Sequence, residues 1–183
     1  MNQIIAKDCR IYRDQPRRKL ILKYLIGHSD VAFIKYLTYM RKEQYYKCKK
    51  GFWGSILYLY YMGKKSKYGM KLGIELHGEC VGAGITIRHY GCIIVNSFAT
   101  IGDNCILRGD NCVGVARDGG KAPRIGNNVD IGFGAKVLGD IEIADECVIG
   151  ANAVVVHSCL QKGAVLAGVP ARVIKSGASH GED

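Results

Sequence analysis

The groups in this 183-residue sequence with the widest range of chemistry are five histidines and eight cysteines. The cysteines stand singly at 9, 48, 80, 92, 105, 112, 147 and 159 with no CxxC pair, so they read as reduced, mostly buried apolar residues rather than as a disulfide framework or a structural zinc site. His89 is different. It interrupts the aliphatic run IRHYGCIIV at 87 to 95, with Arg88 before it and Tyr90 and Gly91 behind it. An imidazole titrates near neutrality and can accept or return a proton wherever it stands outside the core. Whether His89 does so depends on the strand around it.

The charge is uneven. The chain carries a formal +10, and cations crowd the first 71 positions in runs such as PRRK at 16 to 19, KCKK at 47 to 50 and KKSK at 64 to 67. Such a field favours anionic partners: nucleic acid, acidic lipid headgroups, a phosphorylated cofactor or an acidic glycan. No basic-aromatic motif of a nucleic-acid reader is present, so nucleic acid is not expected as a partner.

A hydrophobic fraction of 48% describes a soluble globular chain. Lys7, Asp8 and Arg10 stand where a secretory signal would need an apolar segment, and GFWGSILYLYYMG at 51 to 63 is too short to span a bilayer. A cytoplasmic location follows as the expectation, with contact to the inner face of the membrane through the basic region.

Two unlike parts are expected to position the chemistry. Residues 1–70 are basic, Tyr-rich and helical in pattern: His28 to Lys50 reads as a helix capped by Ser29 or Asp30, with Val31, Ile34, Leu37 and Met40 near helical spacing. The segment from Ile56 to Met62 suits either helix or strand. From 71 to 176 aliphatic residues recur every six positions, at Ile125, Ile131, Val137, Ile143, Ile149 and Val155, with an earlier block at Val81, Ile87 and Ile93 and then at Ile101, Leu107 and Val113. The register slips by two between 93 and 101. A period of six fits neither a helix nor an alternating strand; it fits short strands and turns that coil into a triangular prism, one side chain per repeat pointing to the axis. Residues 177–183 read as a tail. His89 lies two places after the inward Ile87 and therefore faces out of the coil.

The hexads, together with IGANAVV at 149 to 155 and AGVPARVIK at 167 to 175, resemble the hexapeptide-repeat acyltransferases, whose fold is a left-handed parallel β-helix. Within them the sequence is most similar to serine acetyltransferase and its relatives in bacterial polysaccharide gene clusters, over about residues 72 to 176. The resemblance implies a mainly β chain with an N-terminal helical region, a homotrimer, and acetyl-CoA as acyl donor without a metal. It implies His89 as general base, because HYGCIIVN is similar to the family's H-x-G-I-V-V stretch, and Glu75 of GIELH (73 to 77) as the carboxylate that orients it. The oxyanion of the transfer also needs a donor, for which a backbone N–H at a glycine turn such as Gly114, beside the cofactor, is a candidate. Gly132, Gly134, Ala135, Gly150, Ala151, Gly168, Pro170, Arg172 and Lys175 are implied at the cofactor, while Arg88, Tyr90 and Lys121 are candidate acceptor-binding residues.

The hexads break between Gly114 and Arg124, an insertion of the kind that lines binding sites in solenoids. True serine acetyltransferases carry Arg-His before the Pro of this loop and an aspartate before the base. Here Lys121-Ala122 precede Pro123 and Arg88 precedes His89, so a sugar hydroxyl of a capsule, O-antigen or lipid-linked glycan is the favoured acceptor, with serine the alternative. A zinc enzyme of the carbonic anhydrase type is disfavoured by the spacing of His77, His89 and His157, and a non-catalytic scaffold by His89 itself.

Overall fold

A computed structural model describes residues 1–14 and 16–177 of the chain. The tail expected over 177–183 lies, but for Gly177, outside the described residues. Four helices precede the repeats: α1 (Asn2–Arg13), α2 (Arg17–Leu25), α3 (Ser29–Lys47) and α4 (Phe52–Leu72). The ambiguous segment at 56 to 62 is therefore helix, interior to α4. The cap of α3 is His28, one residue before Ser29 and two before Asp30. His28 Nδ1 accepts from the Asp30 N–H at 3.2 Å, while the Asp30 carboxylate is engaged by Lys23 Nζ at 2.5 Å.

The repeats form a prism with three parallel faces. The first face holds β1 (Ile74–Glu75), β3 (Ile93–Val95), β6 (Cys112–Gly114), β9 (Lys136–Leu138) and β12 (Val154–Val155). The second holds β4 (Thr100–Ile101), β7 (Arg124–Ile125) and β10 (Glu142–Ile143), extended by bridges from Val81 to Ile101 and from Ile143 to Cys159. The third holds β2 (Thr86–Ile87), β5 (Ile106–Leu107), β8 (Asp130–Ile131), β11 (Val148–Ile149) and β13 (Val165–Gly168), closed by the antiparallel β14 (Ala171–Lys175). The hexad aliphatics stack in register, Ile87 on Leu107 on Ile131 on Ile149 on Leu166 along the third face, and all are buried. Burying each such side chain contributes about 1.5–3 kcal/mol. That is why one aliphatic per repeat suffices to specify the coil.

The slip in register falls elsewhere than expected. Val95, not Ile93, stacks on Val113, so the corner from Ile87 to Val95 takes eight residues where Leu107 to Val113, Ile131 to Val137 and Ile149 to Val155 take six. The two extra residues sit in the His89 corner. Ile93 and Val95 are both buried, and the sequence offers no means to choose between them as the axial residue.

The helices cap the open end of the prism. A terminal coil exposes unpaired backbone groups, and two tyrosines satisfy them. The Tyr12 hydroxyl from α1 donates to the Ile87 carbonyl at 2.5 Å and accepts from the Ile87 N–H at 2.7 Å, and the Tyr36 hydroxyl from α3 accepts from the Leu76 N–H at 2.9 Å. Burial pushes both phenols above their ordinary range, so they stay protonated. A buried ion pair completes the seal. Arg41 Nε donates to Asp8 at 2.7 Å, and the rest of the guanidinium binds the Gly78, Val81 and Gly82 carbonyls while Asp8 accepts from the Gly84 N–H. This fastens α1 and α3 to the turn that leads into β2.

Candidate active site

The corner between the third and first faces carries His89. Its polypeptide leaves β2 through Arg88, whose N–H donates to Leu107 O at 2.9 Å, and returns through Gly91, whose N–H donates to Leu72 O at 3.0 Å at the end of α4. Arg88, His89 and Tyr90 are all exposed. The expectation of an imidazole outside the coil therefore holds, and the two-residue enlargement of this corner is what carries the ring clear of the wall.

Below His89 the same corner repeats in every coil, and it is built from small residues. Gly109, at φ 121°, fills the second coil, and a Cβ there would lie 2.9 Å from the Phe133 ring and 3.2 Å from the His89 Cβ. With no side chain between them, the His89 and Phe133 rings meet edge to face with centroids 6.4 Å apart. Neither Gly109 nor Phe133 was singled out from the sequence. The only signal for them is glycine in successive corners, as in Arg108-Gly109-Asp110 and Gly132-Phe133-Gly134. Buried Asn111 pins the corner, accepting from Gly109 N–H at 3.0 Å and donating to Gly132 O at 2.7 Å. Gly134, Ala135, Gly150 and Ala151 continue the column, the Gly150 N–H donating to Leu166 O at 2.7 Å, and Gly168 and Pro170 end it at the β13–β14 turn. Arg172 and Lys175 follow on β14. The column thus runs four coil steps from His89, roughly 19 Å at the strand spacing.

Two expected site residues lie at a different corner. Gly114 ends β6, where its carbonyl accepts from the Gly139 N–H at 2.9 Å, and Lys121 belongs to the inserted loop between the first and second faces. That loop, with Asn96, Phe98 and Arg124, borders a cavity of about 670 Å³. Lys121 Nζ pairs with Asp140 at 3.1 Å.

Glu75 is brought to the His89 side of the prism but not into contact with the base. Its ion-pair partner among the described residues is His77, with Oε1 to Nε2 at 3.9 Å. Both line a second cavity, of about 580 Å³, whose wall also includes Gly91 and Cys92 beside the His89 corner and Lys65 and Gly69 of α4. Burial pushes the thiols of Cys105 and Cys147 up to about 11, so these two stay protonated and inert at neutral pH. Among the described residues no cluster of three His, Cys, Asp or Glu could hold a metal. Among them, too, no helix is long and apolar enough to cross a membrane.

A triangular parallel β-helix with an exposed imidazole at the head of a small-residue corner defines the class to which comparison can be made. Residues 122–157 match the bacterial transferase hexapeptide model of six repeats. The chain is 38% identical over 105 residues to a serine acetyltransferase of Synechococcus elongatus and 42% identical over 105 residues to that of Mycobacterium tuberculosis, covering 56% of this chain and 43% and 45% of theirs. It therefore spans less than half the length of these curated relatives. Among solved structures it is similar to serine acetyltransferase of Brucella abortus in complex with coenzyme A, with a TM-score of 0.72 and 23% identity over 97% of this chain and 68% of that one. Soybean serine acetyltransferase complexed with serine gives a TM-score of 0.71 at 23% identity over 94% and 68%. The fold is accordingly the left-handed parallel β-helix with an N-terminal helical region, and the chain is a hexapeptide-repeat protein similar to the serine acetyltransferases.

These findings correct the expected acceptor. The expectation of a glycan hydroxyl rests on Arg88, on Lys121-Ala122 and on the likeness of the GGKAP loop (119 to 123) to polysaccharide-cluster proteins, whereas relatives matching over 105 residues at 38–42% identity are named for serine. Three substituted positions do not outweigh that similarity, and the link to polysaccharide synthesis falls with them.

Proposed function

We propose that this chain is an acetyl-CoA-dependent serine O-acetyltransferase working as a homotrimer. The observation that carries the reading is the similarity to serine acetyltransferases across the repeats, and the corner column headed by His89 agrees with it. Small residues at Gly132, Gly134, Ala135, Gly150 and Ala151 leave backbone groups and a flat wall for the extended pantetheine arm. Gly168 and Pro170 end that wall, and Arg172 and Lys175 beyond it are cations for the phosphates of the nucleotide.

In the transfer, His89 takes the proton of the serine hydroxyl as its oxygen bonds to the thioester carbonyl carbon. The tetrahedral oxyanion collapses, the C–S bond breaks, and the departing thiolate of CoA takes the proton back from the imidazolium. The products are O-acetylserine and CoA. A neutral hydroxyl is a poor nucleophile, so the base is needed at the moment of attack. Glu75, whose ion-pair partner among the described residues is His77, lies on the same side of the prism and would have to turn from His77 to His89 to steady the charged imidazole. Tyr90 and Arg88 flank the acceptor, and Arg88 suits the carboxylate of serine.

The split between corners supports the trimeric reading. Gly114 and Lys121 stand at the corner between the first and second faces, His89 at the corner between the third and first. Packing three prisms about an axis would appose these unlike corners, so that Gly114 and Lys121 border a site headed by a neighbour's His89. The test is release of the CoA thiol from acetyl-CoA by purified protein. Serine is expected to raise the rate well above that with water alone, and sugars to leave it unchanged. A rate indifferent to serine would overturn the reading.

A further inference from the structure

We infer that the outward face of α4 docks on an anionic lipid surface. The inner face of this helix is already occupied: Tyr61 stacks on Tyr46 with centroids 5.4 Å apart, Tyr68 meets Tyr39 at 5.6 Å, and Lys65 pairs with Glu43 at 2.6 Å. On a helix that lies over a globular core the opposite face is ordinarily polar. Here positions 52, 56 and 59, one helical stripe, are Phe52, Ile56 and Leu59, flanked by Trp53 and Tyr60. Phe52 and Trp53 are each 74% exposed and Leu59 57%. The stripe is too large and continuous to be scattered surface apolarity.

Charge identifies what covers it. From Gln44 to Ile74 there is no acidic residue, while Lys47, Lys49, Lys50, Lys64, Lys65, Lys67 and Lys71 fall in that interval. Lys47 and Lys65 are engaged by Glu79 and Glu43. Lys49 and Lys50 are exposed immediately before the helix, and Lys67 is exposed on its flank. A second copy meeting this face through a two-fold axis would bring these cations against each other. A bilayer surface containing anionic headgroups satisfies both halves of the pattern: aromatic and aliphatic side chains enter the headgroup boundary, and lysines lie at its plane. The inference is independent of the acyl-transfer reading, since none of these side chains belongs to the His89 corner.

Trp53 is the single tryptophan of the chain, so its fluorescence reports this face alone. The full chain is titrated at physiological salt with vesicles of phosphatidylglycerol mixed with phosphatidylcholine, and separately with phosphatidylcholine alone. Emission is expected to shift to the blue and to be quenched by brominated acyl chains with the anionic vesicles only. Lys49→Gln with Lys50→Gln, which keeps Trp53, is expected to weaken binding by about fivefold per lysine, roughly 25-fold together. Leu59→Gln should weaken it as well, with far-ultraviolet circular dichroism unchanged for both variants. Unaltered emission, equal binding to the zwitterionic vesicles, or emission already blue-shifted without lipid and reverting on dilution would each overturn the proposal, the last by assigning the face to a second copy.

Discussion

Replacing His89 with alanine is expected to lower serine-dependent turnover by about 10²- to 10⁴-fold, the contribution of a positioned general base. The loss should appear in kcat and in kcat/KM alike, because proton removal is an interaction of the transition state and not of the bound substrate. Acetyl-CoA should still raise the melting temperature of the variant, since the small-residue wall from Gly132 to Gly168 is untouched. The fold should also be indifferent, because the ring is exposed and meets the edge of Phe133 outside the core. Turnover within a fewfold of the parent would remove His89 from the chemistry. Loss of acetyl-CoA binding would instead make it a structural corner residue.

Arg41→Ala is expected to have the largest effect on stability. Its side chain is 4% exposed and that of Asp8 is fully buried, and the pair is completed by three backbone carbonyls and the Gly84 N–H. Removing the guanidinium leaves the buried Asp8 carboxylate without its counter-charge, held only by the Gly84 N–H, and takes their donor from three carbonyls, at a cost of about 3–5 kcal/mol. For a chain of this length that corresponds to a fall in melting temperature of about 6–20 °C, read at fixed protein concentration because assembly contributes to the transition. Arg41→Lys should recover little, as a point ammonium cannot serve a carboxylate and three carbonyls in one plane. Replacing both partners with apolar residues of similar volume should recover much of the loss. A change below about 1 kcal/mol for the single variant would mean that the helices are not anchored through this pair. Turnover should fall with stability, because the same pair holds the turn at 78 to 84 that leads into β2 and His89.

The parts of the structure legible in the sequence are those in which one side chain per repeat does the work. An axial residue must be aliphatic, so the prism appears as a period of six, and an imidazole two places beyond an axial residue must point outward. Where two residues serve equally, the pattern is silent, and the enlarged corner was placed after Ile93 when Ile93 and Val95 are both buried. Long-range polar pairing is silent too. Arg41 falls four residues after Leu37 on the buried face of α3, but nothing local announces Asp8, 33 residues away. Helices α1 and α2 escaped notice individually because α1 interleaves its buried Ile5, Cys9 and Tyr12 with cations, and α2 leaves Ile21, Leu22 and Leu25 exposed. The acceptor was misjudged for a different reason. Arg88, Lys121 and Ala122 were weighed as though each changed the ligand alone, when an exposed cation suits the carboxylate of serine as well as that of a sugar acid. Glu75 marks the boundary of what such reading reaches, for the sequence places it near the base while its contact in the free chain is with His77.

The most direct test of the account is the position of bound coenzyme A in a crystal structure of the assembled protein. Its sulfur is expected beside the His89 imidazole, with its pantetheine arm running down the corner past Gly132, Gly134 and Gly150 toward Arg172 and Lys175. A cofactor lying along any other corner, with His89 facing open solvent, would contradict it.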